Sequence, residues 1–362
     1  RRKRMYLTPE LKKLRKDRDK LKKTLLNGKK DPVKSKEYQR LRNKCTAEIR
    51  TEKRRQIREQ IGEDSSPANV WRIVNEIVNP RTSKQNEIPL APNDLNAHFI
   101  NKISKLQEKI DPSLVEDPLI RLEKKLQGKN LKFSFKPVKK RDVIKIIGKL
   151  RTSSAGGPDG LDPFVLKIAV DVLADPLTSI INQSLLCGIF PEKWKCARIT
   201  PLYKNKGSKK DTNSYRPISC LSVPAKILET CAKIQIVHYF ETHSLFSSSQ
   251  HGFRSRRSTT SALIQMSSMW QEAIDQKKVA GVLSFDLSSA FDAINSTILC
   301  EKLRLYGFDP VAILWVKDYL TNRTQYVRVG TNDSDLMILV TGSPQGSVIS
   351  PKFFIILLAP WR

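Results

Sequence analysis

The chain is 362 residues long and 39% hydrophobic, with 65 Lys and Arg against 36 Asp and Glu, a formal net charge of +29. That length suits two domains with sizeable cores, and a charge so far above what solubility needs points to a polyanionic partner, nucleic acid or an anionic surface. Three classes are set aside: no run reaches the roughly 18 apolar residues of a spanning helix, Arg1-Arg2-Lys3-Arg4 leads into no apolar secretory segment, and the six cysteines and four histidines show no zinc spacing. Reduced thiols and a nuclear or cytoplasmic, non-secreted protein are expected.

The first sixty residues hold 24 Lys and Arg and 8 Asp and Glu, over half the excess charge in a sixth of the chain. Thr8-Pro9 is a helix start signal, and Leu11, Leu14, Leu21 and Leu25 follow a seven-residue seam interrupted by Arg18. Asn27-Gly28 and Asp31-Pro32 turn the chain into a second helix with Tyr38, Leu41, Cys45, Ile49 and Ile57 on one face. A basic helical hairpin is predicted, serving either as a solvated coiled-coil arm or as a nucleic-acid contact. Two further amphipathic helices are predicted over 67–79 and 94–110, separated by a polar linker from Arg81 to Pro92.

Asp111-Pro112 and Asp117-Pro118 break the pattern, and from Lys139 onward longer apolar helices alternate with short β-like runs at Ala197 to Tyr203, Val279 to Phe285, Thr324 to Val329 and Leu336 to Val340. The predicted organisation is a basic helical region over 1–110, a connecting segment over 111–138 and a mixed α+β region over 139–362.

The run Val279 to Phe285 reads as a buried strand that delivers Asp286 to its tip. Hard-oxygen ligands of this kind suit magnesium, and two-metal phosphoryl or nucleotidyl transfer needs carboxylates bridging ions about 3.5–4 Å apart. The bland alternative is that Asp286 caps a helix starting near Ser288.

Phe285-Asp286-Leu287-Ser288-Ser289-Ala290-Phe291-Asp292 resembles the catalytic strand of the reverse transcriptases of non-long-terminal-repeat (LINE-type) retrotransposons, which reads F-D-L-S-x-A-F-D. Other blocks follow in that family's order over about 200 residues. Ser154 to Leu161 resembles its glycine-rich template-side loop. Pro201-Leu202-Tyr203-Lys204 and Tyr215-Arg216-Pro217-Ile218-Ser219 are similar to its two nucleotide-holding fingers motifs. Gln250 to Thr259 resembles the next block, and Gly342-Ser343-Pro344-Gln345-Gly346-Ser347 its P-Q-G turn.

The resemblance implies an α+β right-hand polymerase with fingers and partial palm, preceded by the basic helical region. It implies RNA-directed DNA synthesis, with RNA template, DNA primer and deoxynucleoside triphosphates as partners and Mg2+, or Mn2+, as cofactor. Asp286 and the Leu287 carbonyl would hold the metals. Phe291 would exclude a ribose 2′-hydroxyl, the alternative being a core phenylalanine. Lys204 and Arg216 would neutralise the triphosphate, the guanidinium gripping two oxygens and the ammonium acting as a point charge. Gln345 would be an amide held on a rigid turn facing the nucleotide, with Pro344 and Gly346 shaping that turn against the nucleic acid. Gly157, Asp159, Arg254, Arg256 and Arg257 would contact nucleic acid, the glycines alone being compatible with a plain connection and the arginines with backbone phosphate.

In the family, further carboxylates come from an Asp-Asp motif some thirty or more residues past the P-Q-G turn, and this chain stops at Arg362, sixteen residues past Gly346. Asp292 is expected to point away from Asp286. Two readings follow: a polymerase fragment truncated after the P-Q-G motif and silent by itself, or a non-catalytic RNA- or DNA-binding remnant.

Overall fold

The computed structural model describes residues 8–26, 32–63, 88–107, 118–152, 155–287 and 289–359. The helix expected over 67–79, most of the linker after it, and Ser154 and Ser288 lie outside the described residues. The chain divides into two compact units, 1–87 and 88–362.

In the first unit α1 (Pro9–Leu26) and α2 (Pro32–Glu63) pack together. Leu11 and Cys45 are buried, while Leu14, Leu21, Leu25, Tyr38, Leu41 and Ile49 are half-buried along the facing stripes. The seam interruption at Arg18 is absorbed by Asp19, whose carboxylate accepts from the guanidinium at 2.6 and 2.9 Å. Most of the other described lysines and arginines line the solvent side, as an amphipathic pair with so narrow an apolar stripe requires.

The second unit holds α3 (Pro92–Gln107), α4 (Pro118–Leu126), α5 (Lys140–Lys149), α6 (Pro163–Ile168), α7 (Val170–Cys187), α8 (Val223–Thr242), α9 (Thr259–Asp275), α10 (Ser296–Leu305), α11 (Pro310–Leu320) and α12 (Ser350–Leu358). Its sheet comprises β1 (Cys196–Tyr203), β2 (Tyr215–Leu221), β3 (Arg323–Val329), β4 (Asn332–Asp333) and β5 (Met337–Leu339). β1 lies between β2, antiparallel, and β3, parallel, and β3 pairs antiparallel with both β4 and β5. The mixed α+β class is therefore observed.

Most helices share one core, in which Phe133, Phe135, Phe190, Tyr239, Phe240, Trp315 and Tyr319 interlock. A smaller core sits where α3 meets the sheet: Leu95 and Phe99 pack with Ala197, Ile199 and Val327. Buried Asn96 fixes that contact, donating to Ser334 Oγ and the Asp335 carbonyl at 3.0 Å and accepting from Gln325 Nε2 at 2.9 Å. The sequence reading groups this helix with the basic region, whereas its packing joins it to the sheet. A period of 3.6 shows that a helix has an apolar face, not which layer covers it.

One expectation is corrected. Val279 to Phe285 forms no strand and is not buried: Val279 is 99% and Phe285 80% exposed. An extended run becomes a strand only when a neighbour takes up its N–H and C=O groups, and none of the described strands pairs with it. The helix before it, α9, starts with a reciprocal Ser258–Ser261 capping box yet buries none of its residues.

Candidate functional site

The site is built around the turn Gly342 to Ser347. Gly346 takes φ 134°, and a Cβ there would lie 2.4 Å from the Ser219 carbonyl oxygen, so only glycine lets the turn close on β2. That approach lets the Ser219 N–H donate to the Gln345 carbonyl at 2.7 Å. On its other side the turn is stitched to 289–294, with Gly342 N–H donating to the Ile294 carbonyl and Ser343 N–H to the Phe291 carbonyl at 3.2 and 2.9 Å.

Gln345 does not hang free from this turn. Its Nε2 donates to both oxygens of Asp292, at 3.0 and 3.1 Å. A carboxylate accepts only, so the amide is held with nitrogen inward and Oε1 available as an acceptor. Burial pushes the Asp292 carboxyl up, while the Gln345 amide and the positive charge of Lys102 draw it back. Asp292, Gln345, Pro344 and Ser343 share a small cleft with Pro217, Phe99 and Ile100. Phe291, next to Asp292, turns to the core side, its ring 6.0 Å from Phe253 and 5.6 Å from Phe354.

Beneath the turn lies a buried polar network that sequence reasoning missed. Glu229 of α8 is fully buried and accepts from Ser347 Oγ at 2.8 Å, Val348 N–H at 2.6 Å and Tyr319 Oη at 3.3 Å. Tyr319 also donates to Ser347 Oγ at 2.7 Å, and Ser347 Oγ in turn accepts from the Ser350 N–H that starts α12. Burial pushes the Glu229 carboxyl up, and the buried Arg323 guanidinium, stacked on the Tyr319 ring at 4.9 Å, opposes that shift. A single glutamate at the centre of the run Ile227-Leu228-Glu229-Thr230-Cys231-Ala232 was the available signal, since a buried charge must find partners.

The predicted cations occupy the end of the β1–β2 pair. Arg216 stands opposite Leu202 and is exposed; Lys204 follows β1 directly, its Nζ donating to the Asn213 carbonyl at 2.6 Å. Partial burial lowers the Lys204 ammonium, and repulsion from Lys102 and Arg216 lowers it further.

The glycine loop is docked on the same sheet edge. A Cβ on Gly157 would meet the Ser222 N at 2.5 Å, Asp159 accepts from Ser222 Oγ at 2.6 Å, and Arg198 donates to the Gly156 carbonyl at 2.9 Å. Arg254 is engaged internally, paired with Glu241 at 2.6 Å and donating to the Ser247 carbonyl at 2.7 Å, while Arg256 and Arg257 are exposed. The loop and Gln345 are thus brought to one sheet edge, and Arg254 is spent on holding its own turn.

Asp286 and Leu287 stand apart from this arrangement, exposed on the unpaired segment 281–287. Together they offer one carboxylate and one carbonyl, where Mg2+ takes about six oxygens. Among the described residues no group of three or more His, Cys, Asp or Glu is placed to hold a metal ion. The donor set present in these residues does not fit a two-metal centre. Among the described residues no helix is long and apolar enough to cross a membrane.

Comparison with known proteins matches residues 206–361 to the family described as reverse transcriptase (RNA-dependent DNA polymerase). The chain is 31% identical over 214 residues to the RNA-directed DNA polymerase from mobile element jockey of Drosophila melanogaster, covering 59% of this chain and 23% of the relative. It is 27% identical over 245 residues to a probable RNA-directed DNA polymerase from transposon BS of the same species, covering 67% and 26%. A third relative is the Pol polyprotein from type-1 retrotransposable element R2 of Popillia japonica, 25% identical over 222 residues, covering 61% and 30%. The chain spans about a quarter of the length of these relatives.

Proposed function

Because this chain belongs, through residues 206–361, to the reverse transcriptase family of non-LTR retrotransposons, we propose that it holds an RNA template and a DNA primer for RNA-directed DNA synthesis. The observation that carries this reading is convergence. Blocks more than 180 residues apart in sequence, the glycine loop, β1–β2 and the 342–347 turn, are pinned to one sheet edge by bonds between them, with Arg216 exposed and Gln345 and Lys204 half-buried there.

In this reading the sheet and its flanking helices correspond to fingers and a partial palm, and the basic helices of 1–110 lead into them. Gln345 offers Oε1 to a nucleotide or template group, and Lys204 and Arg216 meet phosphate. Arg256 and Arg257 contact the nucleic-acid backbone, while Phe291, packed against the core, takes the core role. Magnesium, or manganese, is the proposed cofactor of the complete enzyme, supplying charge stabilisation at the phosphoryl oxygens. Asp286 and Leu287 alone do not make its site. We place the protein in nucleus or cytoplasm.

A second reading, a non-catalytic RNA- or DNA-binding protein, is favoured by one observation: Asp286 sits on an exposed, unpaired segment. Both readings require nucleic-acid binding dominated by phosphate contacts. The test is fluorescence anisotropy of a labelled RNA–DNA primer–template across salt. Affinity should fall by about 10³-fold or more between roughly 50 and 200 mM salt as counterions are released. A salt-independent affinity would overturn both.

A further inference from the structure

We propose that the apolar stripe of α9 is a docking surface for a second copy of this chain, the two helices packing antiparallel across a two-fold axis. The inference does not rest on the polymerase reading.

α9 is turned inside out. Leu263, Met266, Trp270 and Ile274 recur every three or four residues and so share one stripe of the helix, while Ser261, Gln265, Ser268 and Glu272 share the opposite one. The polar stripe is the one that meets the rest of the chain: His251 Nδ1 lies 2.8 Å from Ser261 Oγ, and its Nε2 lies 2.7 Å from Gln265 Oε1. Ser261 and Gln265 are half-buried as a result, whereas Leu263, Met266, Trp270 and Ile274 are 59, 37, 38 and 64% exposed. The helix is closed at both ends by its own bonds, the capping box at its start and, at its end, the Lys278 N–H donating to the Ala273 carbonyl at 2.8 Å. The apolar stripe is therefore presented by a formed element, and none of the described residues covers it.

Charge argues against nucleic acid as the occupant. In a chain of net charge +29, the 17 residues of α9 contain no Lys or Arg and two carboxylates, Glu272 and Asp275, so the helix offers nothing to a phosphate backbone. The stripe instead complements itself. Its spacing is that of a coiled-coil seam. Reversed against a copy, Leu263 falls opposite the partner's Ala273 and Ile274, and Met266 opposite the partner's Trp270, where a flexible thioether fits against an aromatic ring. That reciprocity is what an isologous two-fold contact requires. At the observed exposures the four side chains of the stripe present roughly 400 Å². Val279, Leu283 and Phe285, 99, 78 and 80% exposed on the unpaired segment that follows the helix, add about as much again. The sum reaches the roughly 800 Å² that each partner contributes to a standard interface, above the about 300–600 Å² of the largest apolar patch on a typical monomer.

The test is sedimentation equilibrium of the nuclease-treated full chain in about 1 M salt, where bridging by residual nucleic acid is screened out. The wild type should be a dimer with a roughly micromolar dissociation constant. Trp270→Ala should raise that constant about 30-fold, the truncation of a central aromatic anchor, and Leu263→Glu should give a monomer. Ser268→Lys, on the opposite stripe, should leave the constant unchanged. Far-UV circular dichroism establishes that the variants fold, as expected for side chains that are exposed in the single chain. A wild type that is monomeric at about 100 μM overturns the proposal. So does a dimer indifferent to both Trp270→Ala and Leu263→Glu, which places the contact elsewhere, and so does a polydisperse assembly in place of a dimer. Association that appears only on adding an RNA–DNA duplex overturns it as well and makes nucleic acid the occupant. Because primer–template binding is measured separately, a monomeric chain that binds it loses this interface and keeps the polymerase reading, and a dimer that does not bind it keeps the interface alone.

Discussion

Glu229, outside the Gln345 turn, anchors the turn's last residue and the one after it. Its carboxylate takes the Ser347 hydroxyl and the Val348 N–H, so a charge on α8 sets where the residue two positions before Ser347 can point. Burial raises its folded-state pKa above the ordinary glutamate value of 4.5. An acid with a raised folded pKa holds its proton more tightly when native, so stability falls as pH climbs from the ordinary glutamate range through the raised value. Asp292, also raised by burial, contributes with the same sign. Thermal melts across pH should show that decline in the wild type and a flatter profile for Glu229→Gln. Glu229→Ala should lose roughly 3 kcal/mol in urea titrations, because the Val348 N–H and the hydroxyls of Ser347 and Tyr319 lose their shared acceptor in a buried site, and the Arg323 guanidinium loses a nearby opposite charge. A Glu229→Ala variant as stable as the wild type would remove Glu229 from this role.

Among elements, α3 and the segment 279–287 make opposite cases. α3 carries an ordinary amphipathic pattern, yet its Asn96 reaches across more than 220 residues to Gln325, Ser334 and Asp335 and fixes the helix to the sheet. Replacing it by alanine leaves buried donors and acceptors without partners. Asn96→Ala should cost about 2 kcal/mol, measured by chemical denaturation. Unchanged stability would mean that the apolar contacts of Leu95 and Phe99 suffice to dock the helix. The segment 279–287 has the stronger strand pattern of the two and forms no strand, since pattern supplies a face but not a neighbour.

For the molecule as a whole, the excess of positive charge and the arrangement at the sheet edge argue for binding, whereas the described residues assemble no carboxylate cluster. The 362 residues by themselves should therefore bind primer–template without extending it. Primer extension on an RNA template with deoxynucleotides and magnesium, comparing wild type with Asp286→Asn, checks this. No synthesis by either is the expected result. Synthesis abolished in Asp286→Asn would show that Asp286 finds its partner carboxylates in solution and that these residues catalyse unaided.

The sequence by itself determined what depends on local order and composition. The basic helical hairpin, β1, β3, β5, the glycine at the tightest turn and the family to which the motifs belong were all legible, because periodicity, turn chemistry and motif spacing are properties of short stretches. The tertiary structure alone decided which partners those stretches meet. It placed Asp292 on Gln345, Glu229 under the turn and Arg254 on Glu241, and it left Val279 to Phe285 unpaired and exposed. Hydrogen bonds and charge pairs between residues 13 to 118 positions apart depend on how layers pack, and no local pattern encodes that packing.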